Sequence, residues 1–194
     1  MSLPNTMNFI LDQTFKNQNF TQIRLPKGEY ETCTFEGCDF SNGYLDNQNF
    51  MDCEFADCNL SNTNISNTIF KEVRFSRCKM IGLKFETCNH FLMDLEFQNC
   101  TLNHSSFYRL TLKNQLFSIC KLIELDFTEA VLNGAIFDNC DLSRAIFAQT
   151  VLERADFTTA LNFNIDPEQN RIKKARFSKD GLAGLLIKHQ IITV

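Results

Sequence analysis

A large apolar residue recurs at every fifth position along most of this chain. All fifteen of these positions from Phe15 to Phe85 are apolar or aromatic, and after a shift of two residues the series resumes at Leu92 and continues to Phe157. An α-helix brings residues to the same face every 3.6 positions and a strand every two, so neither element produces a five-residue period. The period therefore predicts a repeat protein, in which one small unit is stacked many times.

The position two residues before the large one often holds a small side chain. These small residues are Cys33, Cys38, Cys53, Cys58, Cys78, Cys100, Cys120 and Cys140, and later Ala130, Ala135, Ala145, Ala155 and Ala160. The other three positions of the unit are mainly Asn, Asp, Glu, Lys, Ser and Thr. Each unit is thus expected to direct one small and one large side chain inward and to expose three polar ones.

A second period, of 20 residues, groups the units four at a time. One position in every four is always phenylalanine, and this set, here named the Phe column, comprises Phe15, Phe35, Phe55, Phe75, Phe97, Phe117, Phe137, Phe157 and Phe177. A cysteine column with the same spacing follows on the next wall: Cys38, Cys58, Cys78, Cys100, Cys120 and Cys140. Residues 20 apart should therefore stack in nine layers, which at about 4.8 Å per layer make a rod on the order of 40 Å tall.

The repeat unit resembles that of the pentapeptide-repeat family over roughly residues 13–179, most clearly in Ala155-Asp156-Phe157-Thr158-Thr159. The resemblance implies an all-β fold, a right-handed quadrilateral β-helix with four five-residue units per coil. We expect residues 1–12 to form an N-terminal cap and residues 13–179 to form the β-helix, with a two-residue insertion near 86–91. Residues 180–194 are expected to form a short helix and a strand.

The C-terminal segment allows two interpretations: it caps the last coil, or it forms a dimer interface. Leu182, Leu185 and Leu186 form an apolar stripe at helical spacing, and the last four residues have the composition of a strand. Residues 165–178 resemble the quinolone-resistance branch of the family, in which the C-terminal helix and strand pair across a two-fold axis. The resemblance favours a homodimer with an interface made of Phe177, Leu182, Leu185, Leu186, Ile191, Ile192 and Val194.

The insertion also allows two interpretations, a tolerated bulge or a projection that contacts a partner, because loops on rigid scaffolds often carry binding residues. The candidate contact residues are Glu86, Thr87, Asn89, His90 and Phe91.

No arrangement of residues indicates catalysis. The repeat places the cysteines inward at a position that requires a small residue, where free cysteine behaves as a small apolar side chain rather than as a zinc ligand. The chain has three histidines, and its sequence contains no phosphate-binding loop, dinucleotide fingerprint or HExxH motif. We therefore expect no enzyme activity, cofactor or metal. With no signal peptide and no apolar run of 18 residues, the expected location is the cytoplasm.

Charge is unevenly distributed along the chain. Residues 1–165 contain 13 basic and 20 acidic residues, whereas residues 166–194 contain six basic and three acidic ones. Two walls are expected to be acidic: the Phe-column wall and the wall centred on Tyr30, Phe50 and Phe70, here named the Tyr30 wall. Their candidate partner-binding residues are Glu36, Glu54, Asp57, Glu96, Asp138 and Asp156 on the first, and Glu29, Glu31, Asp52 and Glu72 on the second.

Acidic walls are compatible with ordinary solubility or with a surface that imitates duplex DNA. In the quinolone-resistance branch such a surface is thought to act at the DNA-binding saddle of DNA gyrase and topoisomerase IV, and the resemblance implies the same partner here. The alternative is a scaffold for a different protein partner. Direct nucleic-acid binding is not expected, because the repeat region is acidic.

Overall fold

The computed structural model of the chain describes residues 8–191. Within that range it contains thirteen short parallel strands and three 3₁₀ helices. The strands are β1 Asn8–Leu11, β2 Thr14–Lys16, β3 Gly28–Glu31, β4 Thr34–Glu36, β5 Asn49–Met51, β6 Glu54–Ala56, β7 Ile69–Lys71, β8 Val73–Ser76, β9 Leu95–Gln98, β10 Leu116–Ser118, β11 Ile136–Asp138, β12 Asp156–Phe157 and β13 Arg176–Phe177. The 3₁₀ helices span Phe85–Thr87, Asp180–Leu185 and Ile187–His189.

The strands stack into the walls of a β-solenoid. The Phe-column wall is a nine-stranded parallel sheet in the order β2, β4, β6, β8, β9, β10, β11, β12 and β13. The Tyr30 wall begins as a four-stranded parallel sheet of β1, β3, β5 and β7. Single parallel bridges such as Asp39 to Asn59 and Ser106 to Asp126 connect the layers of the other two walls. The predicted β-helix with four walls is confirmed.

The predicted coil length of 20 residues is also confirmed, by the register of the sheets. Phe15 pairs with Phe35, and Phe35 pairs with Phe55. Neighbouring columns meet edge to face inside each layer, as Phe35 and Phe50 do at 5.8 Å and 82°. Such aromatic pairs each contribute about 0.5–1.5 kcal/mol beyond the burial of their area.

The small position of the unit has a role besides its size. The Cys58 Sγ donates a hydrogen bond to the Phe35 carbonyl one coil earlier, at 3.3 Å. Thr63 and Thr68 donate in the same way to the carbonyls of Phe40 and Leu45, at 2.8 and 2.7 Å. A buried carbonyl without a partner costs free energy, and a thiol or hydroxyl at this position supplies a donor to the carbonyl one coil earlier.

The insertion lies slightly later than the sequence predicts. Cys88 still occupies a buried small position. The chain returns to the wall at Leu95, which pairs with Val73. The segment Phe91–Asp94 therefore replaces the two residues Lys71 and Glu72 of the layer below.

The prediction that the five-residue series resumes with Leu92 inside the core is wrong. Leu92 is 57% exposed, and Met93 packs against the core instead. The physical reason is that the corner turn absorbs the two extra residues. The inward alternation is restored only where the backbone re-enters the sheet at Leu95.

The N-terminal end of the solenoid begins with a paired strand. Strand β1 pairs in register with β3, so residues 8–11 of the predicted N-terminal cap form a strand of the first coil. Residues 1–7 of that cap, and Ile192 and Val194 of the predicted terminal strand, lie outside the described residues. No helical segment among residues 8–191 has the length and hydropathy needed to cross a bilayer.

Candidate interaction surface

Acidic and basic side chains on the Phe-column wall stack in vertical ion pairs. Lys16 contacts Glu36 at 2.7 Å, and the guanidinium of Arg77 contacts Asp57 at 2.7 Å. Two further pairs are Arg74 with Glu96, at 3.0 Å, and Arg176 with Asp156, at 2.9 Å. Because parallel strands stack in register, residues that are 20 apart across these layers are neighbours.

The ion pairs change the electrostatics of this wall. Four of its six predicted acidic residues, Glu36, Asp57, Glu96 and Asp156, each face a cation. The hydrogen bond from Arg77 holds the pKa of the Asp57 carboxyl below its usual value. Exposed ion pairs add little stability, but they cancel much of the field that the carboxylates produce. The grouping of charges by wall misses these pairs; comparing residues 20 apart, or 22 apart across the insertion, reveals them.

A cluster of acidic residues lacks such neutralisation. Within residues 8–191, Glu29, Glu31, Asp52 and Glu54 make no ion pair at 4.0 Å or less. They lie in the second and third layers around the corner where the Tyr30 wall meets the Phe-column wall. This set is named the acidic patch. The negative field of the rod is therefore concentrated in its N-terminal half.

The two remaining predicted acidic residues lie outside the patch. Glu72 lies 3.7 Å from the Lys71 amine. Asp138 accepts hydrogen bonds from Ser118 and Asn139, at 3.2 and 2.8 Å. Both carboxylates thus have polar partners within the chain.

The predicted loop residues fall into two groups. Glu86 and Thr87 belong to the 3₁₀ helix Phe85–Thr87, and one Glu86 carboxylate oxygen is buried without a hydrogen-bond partner among the described residues. Asn89 accepts a hydrogen bond from the Phe91 backbone amide at 2.9 Å, and the His90 Nε2 lies 3.0 Å from the Glu86 carbonyl. These contacts hold the start of the turn.

Phe91 is the most exposed of the large apolar residues of the loop. Its side chain is 72% exposed, next to the exposed Leu92. Two adjacent apolar side chains at a corner of the rod form a contact point that could enter a pocket on another protein.

The C-terminal segment packs on the last coil through two glycines. A Cβ on Gly184 would lie 2.7 Å from the Phe163 ring, and one on Gly181 would lie 2.9 Å from the same ring. The Ile165 amide donates to the Gly184 carbonyl at 3.0 Å, and the Lys188 amine contacts Asp166 at 2.7 Å. The segment therefore covers the end of the rod.

An apolar surface remains exposed on top of this cover. Leu185 packs against the core, and Phe177 and Leu186 are half-buried. Leu182, Ile187 and Ile191 remain about half exposed, and a groove of about 490 Å³ lies between this segment and the last coil. The segment thus provides a cap and leaves apolar surface for a further contact.

The cysteines lie where the repeat predicts. All nine are buried, and burial raises the pKa of Cys53 and of Cys88 to about 12. Residues 8–191 bring no three His, Cys, Asp or Glu side chains together as metal ligands. His104 faces outward and contacts Glu124 at 3.1 Å.

The sequence matches two models of one repeat type. A model described as a pentapeptide repeat region matches residues 28–107, and a model of eight pentapeptide repeats matches residues 126–161. Together the two ranges cover more than half of the chain. No curated protein matches the sequence.

The chain is similar to solved structures at low sequence identity. Full-length QnrB1, a plasmid-mediated fluoroquinolone resistance protein, is 16% identical with a TM-score of 0.52, over 95% of this chain and 100% of that chain. HetL, a pentapeptide-repeat protein involved in heterocyst differentiation regulation in the cyanobacterium Nostoc sp., is 15% identical with a TM-score of 0.39, over 89% of this chain and 90% of that chain. At this level of identity the likeness to QnrB1 concerns the fold alone.

Proposed function

This chain belongs to the pentapeptide-repeat family, and on that premise we propose that it is a non-enzymatic binding protein that imitates DNA. The acidic patch binds a basic protein surface, and the partner is DNA gyrase or topoisomerase IV. Through that contact the chain protects the enzyme against quinolones or another gyrase poison. The proposal requires a cytoplasmic location, where these enzymes act.

The observation that carries the proposal is the unneutralised acidic patch on a rigid rod. A negative field on a narrow scaffold steers association with a basic groove and favours that partner over acidic ones. The stacked core keeps the carboxylates at fixed spacing, so little conformational entropy is lost when they bind. Such a role requires shape and charge rather than a catalytic residue.

The exposed loop supplies a second contact in this proposal. Interfaces commonly combine a steering charge with one or two buried aromatic anchors. Phe91 lies on the same side of the rod as the acidic patch, in the fifth layer. Together they give the partner one charged and one apolar point of contact.

The C-terminal apolar surface is proposed to join two copies end to end. The exposed side chains of Leu182, Ile187 and Ile191 would then be buried against the partner copy, with Phe177, Leu185 and Leu186 supporting them from beneath. Changing Leu182 and Ile187 to serine is expected to yield monomers by light scattering. Leu116→Ser, at an exposed apolar position far from this end, is the matched control and should leave the dimer unchanged.

The test of the gyrase role is a supercoiling assay with and without ciprofloxacin. The wild-type chain is expected to inhibit or protect gyrase, and the triple variant Glu31→Gln, Asp52→Asn, Glu54→Gln should lose at least tenfold of that effect. Lys16→Gln with Glu36→Gln is the control, because it removes a pair that is already neutral. An absence of binding, inhibition and protection by the wild-type chain would refute the gyrase role.

A scaffold with a partner other than a topoisomerase is the second candidate. The ion pairs on the Phe-column wall favour it, because they leave most of that wall without the continuous negative charge of DNA. Repeated recovery of one protein that is not a topoisomerase, with binding lost on Phe91→Ser but retained in the triple acidic variant, would support this candidate.

A further inference from the structure

One corner of the rod is acidic along its N-terminal half and basic along its C-terminal half. It is the corner between the Tyr30 wall and the Phe-column wall. Its turn residues all have positive φ, one in each layer: Asp12, Thr32, Asp52, Glu72, Leu92, Asn114, Gly134, Arg154 and Lys174. The nine turn residues, together with the residue that precedes each of them, are named the bipolar edge.

The first four layers of the bipolar edge are mainly negative. Asp12, Glu31 and Asp52 make no ion pair within residues 8–191, and Glu72 has Lys71 at 3.7 Å. The acids outnumber the single lysine, so this half attracts cations.

The last four layers of the bipolar edge are mainly positive. Lys113, Arg154, Lys173 and Lys174 are exposed and make no ion pair within the described range. The one acid of this half, Glu153, is already bound by Arg171 at 2.7 Å. This half therefore attracts anions.

The middle layer of the bipolar edge is apolar. Leu92 is the fifth of the nine turn residues, and both it and Phe91 are exposed. Asp94 ends the same loop and adds one carboxylate next to the boundary. An apolar centre with charged flanks is the usual composition of a protein–protein interface.

We propose that two copies of this chain pair side by side and antiparallel along the bipolar edge. Asp12 and Lys174 each lie four layers from Leu92, a separation of about 19 Å at the spacing of stacked strands. A two-fold axis through the Leu92 layer therefore sets Asp12 of one copy opposite Lys174 of the other. It sets Glu31 opposite the Arg154 layer, Glu72 opposite the Lys113 layer and Leu92 against its own copy, as an isologous interface requires.

The antiparallel direction follows from the charges. In a parallel pair the acidic halves would face each other, and so would the basic halves, which is repulsive in both places. The proposed pairing is separate from the end-to-end contact and does not rest on the gyrase role. It covers part of the acidic patch, so lateral pairing and binding of a basic partner compete.

Reciprocal charge reversal tests the pairing. One variant carries Asp12→Lys, Glu31→Lys and Asp52→Lys, and the other carries Arg154→Glu, Lys173→Glu and Lys174→Glu. Each variant alone presents mainly one sign of charge along the edge and should associate laterally at least tenfold more weakly than the wild type by sedimentation velocity. An equimolar mixture should regain the association, because each half then faces the opposite sign.

Salt separates this contact from the end-to-end one. Raising the ionic strength from about 50 mM to about 500 mM shortens the screening length well below 10 Å and should weaken the lateral pairing, while an apolar C-terminal contact persists. The proposal would be overturned if either reversed variant alone associated as strongly as the wild type, or if the mixture of the two failed to associate. The absence of any salt-sensitive association in the wild type would also overturn it.

Cross-linking tests the position of the axis. The nine native cysteines are buried, so Leu92→Cys introduces an exposed thiol without a competing one. Mild oxidation at low salt should convert this variant to a covalent dimer. Gln149→Cys, at an exposed turn residue of a different corner, is the control and should remain uncross-linked. Equal cross-linking of both variants, or none in Leu92→Cys, would contradict the two-fold axis at the middle layer.

Discussion

Phe35 stacks on Phe55 with ring centroids 4.6 Å apart and ring planes 9° from parallel. Both side chains are fully buried, and the strands that carry them pair in register. The same relationship repeats up the Phe column, so each ring is supported by the layer below and the layer above. This continuous stack makes the rod rigid and sets the positions of every exposed side chain.

A charge inside the Phe column is expected to prevent folding. Phe117 is fully buried between Phe97 and Phe137, and Phe117→Asp would place a carboxylate there without a partner, at a cost of many kcal/mol. Leu116→Asp, one residue earlier, changes an exposed side chain and should leave the fold intact. Circular dichroism and thermal unfolding check both; a cooperative transition in Phe117→Asp would contradict the stacked core.

The hydrogen bond from the small position should contribute measurable stability. Thr68 is fully buried and its hydroxyl donates to the Leu45 carbonyl at 2.7 Å. Thr68→Val keeps the shape and removes the donor, so the free energy of unfolding should fall by about 1–3 kcal/mol. Thr111→Val, at an exposed position, is the matched change. Urea titration measures both, and equal midpoints for the two variants would argue against a role for this bond.

The packing of the C-terminal segment should depend on Gly184. In Gly184→Ala the new methyl group would press into the Phe163 ring and move the segment off the last coil. The Ile165 amide, which bonds to the Gly184 carbonyl, should then exchange with solvent at least tenfold faster. Ala183→Ser, at a neighbouring exposed position, should leave that exchange unchanged. Unaltered protection of Ile165 in the glycine variant would mean that the segment does not depend on this contact.

The Arg77 and Asp57 pair should be visible in an acid titration. Because the hydrogen bond from Arg77 holds the pKa of Asp57 in the folded chain below its usual value, the pair favours folding above the pKa of the unfolded chain and loses its effect as the pH falls through the lowered pKa. Arg77→Gln should raise the pKa of Asp57, and carboxyl carbon NMR measures it. Arg74→Gln leaves the Asp57 partner in place and should not move it; a shift of equal size in both variants would refute the specific pairing.

The interior could be predicted from the sequence, because stacking makes it depend on spacing alone. Between the two end layers, each residue of the Phe column is buried by its neighbours one coil away, and the inward-facing positions repeat in every layer. The surface could not be predicted as well. Whether Glu36 and Asp57 present free charge depends on the cation one layer away, which the assignment to walls did not consider.

The conformation of the corner at the insertion also could not be predicted from the sequence. From the spacing alone Leu92 was the next core residue, yet Met93 packs inward and Leu92 faces solvent. Two extra residues in a turn can be accommodated in several ways. The choice depends on where the strand after them finds its partner, which is a property of the sheet and not of the local sequence.

By itself the sequence determined the coil of 20 residues, the inward positions of the Phe column and the cysteines, and the absence of any motif that indicates catalysis. The periodic pattern carries this information because each layer repeats the contacts of the last. Only the tertiary structure decided which carboxylates remain unneutralised, where the insertion leaves the wall, and how Gly181 and Gly184 bring the C-terminal segment onto Phe163. These features depend on distances between neighbouring layers and between the C-terminal segment and the last coil, and no local sequence pattern encodes such distances.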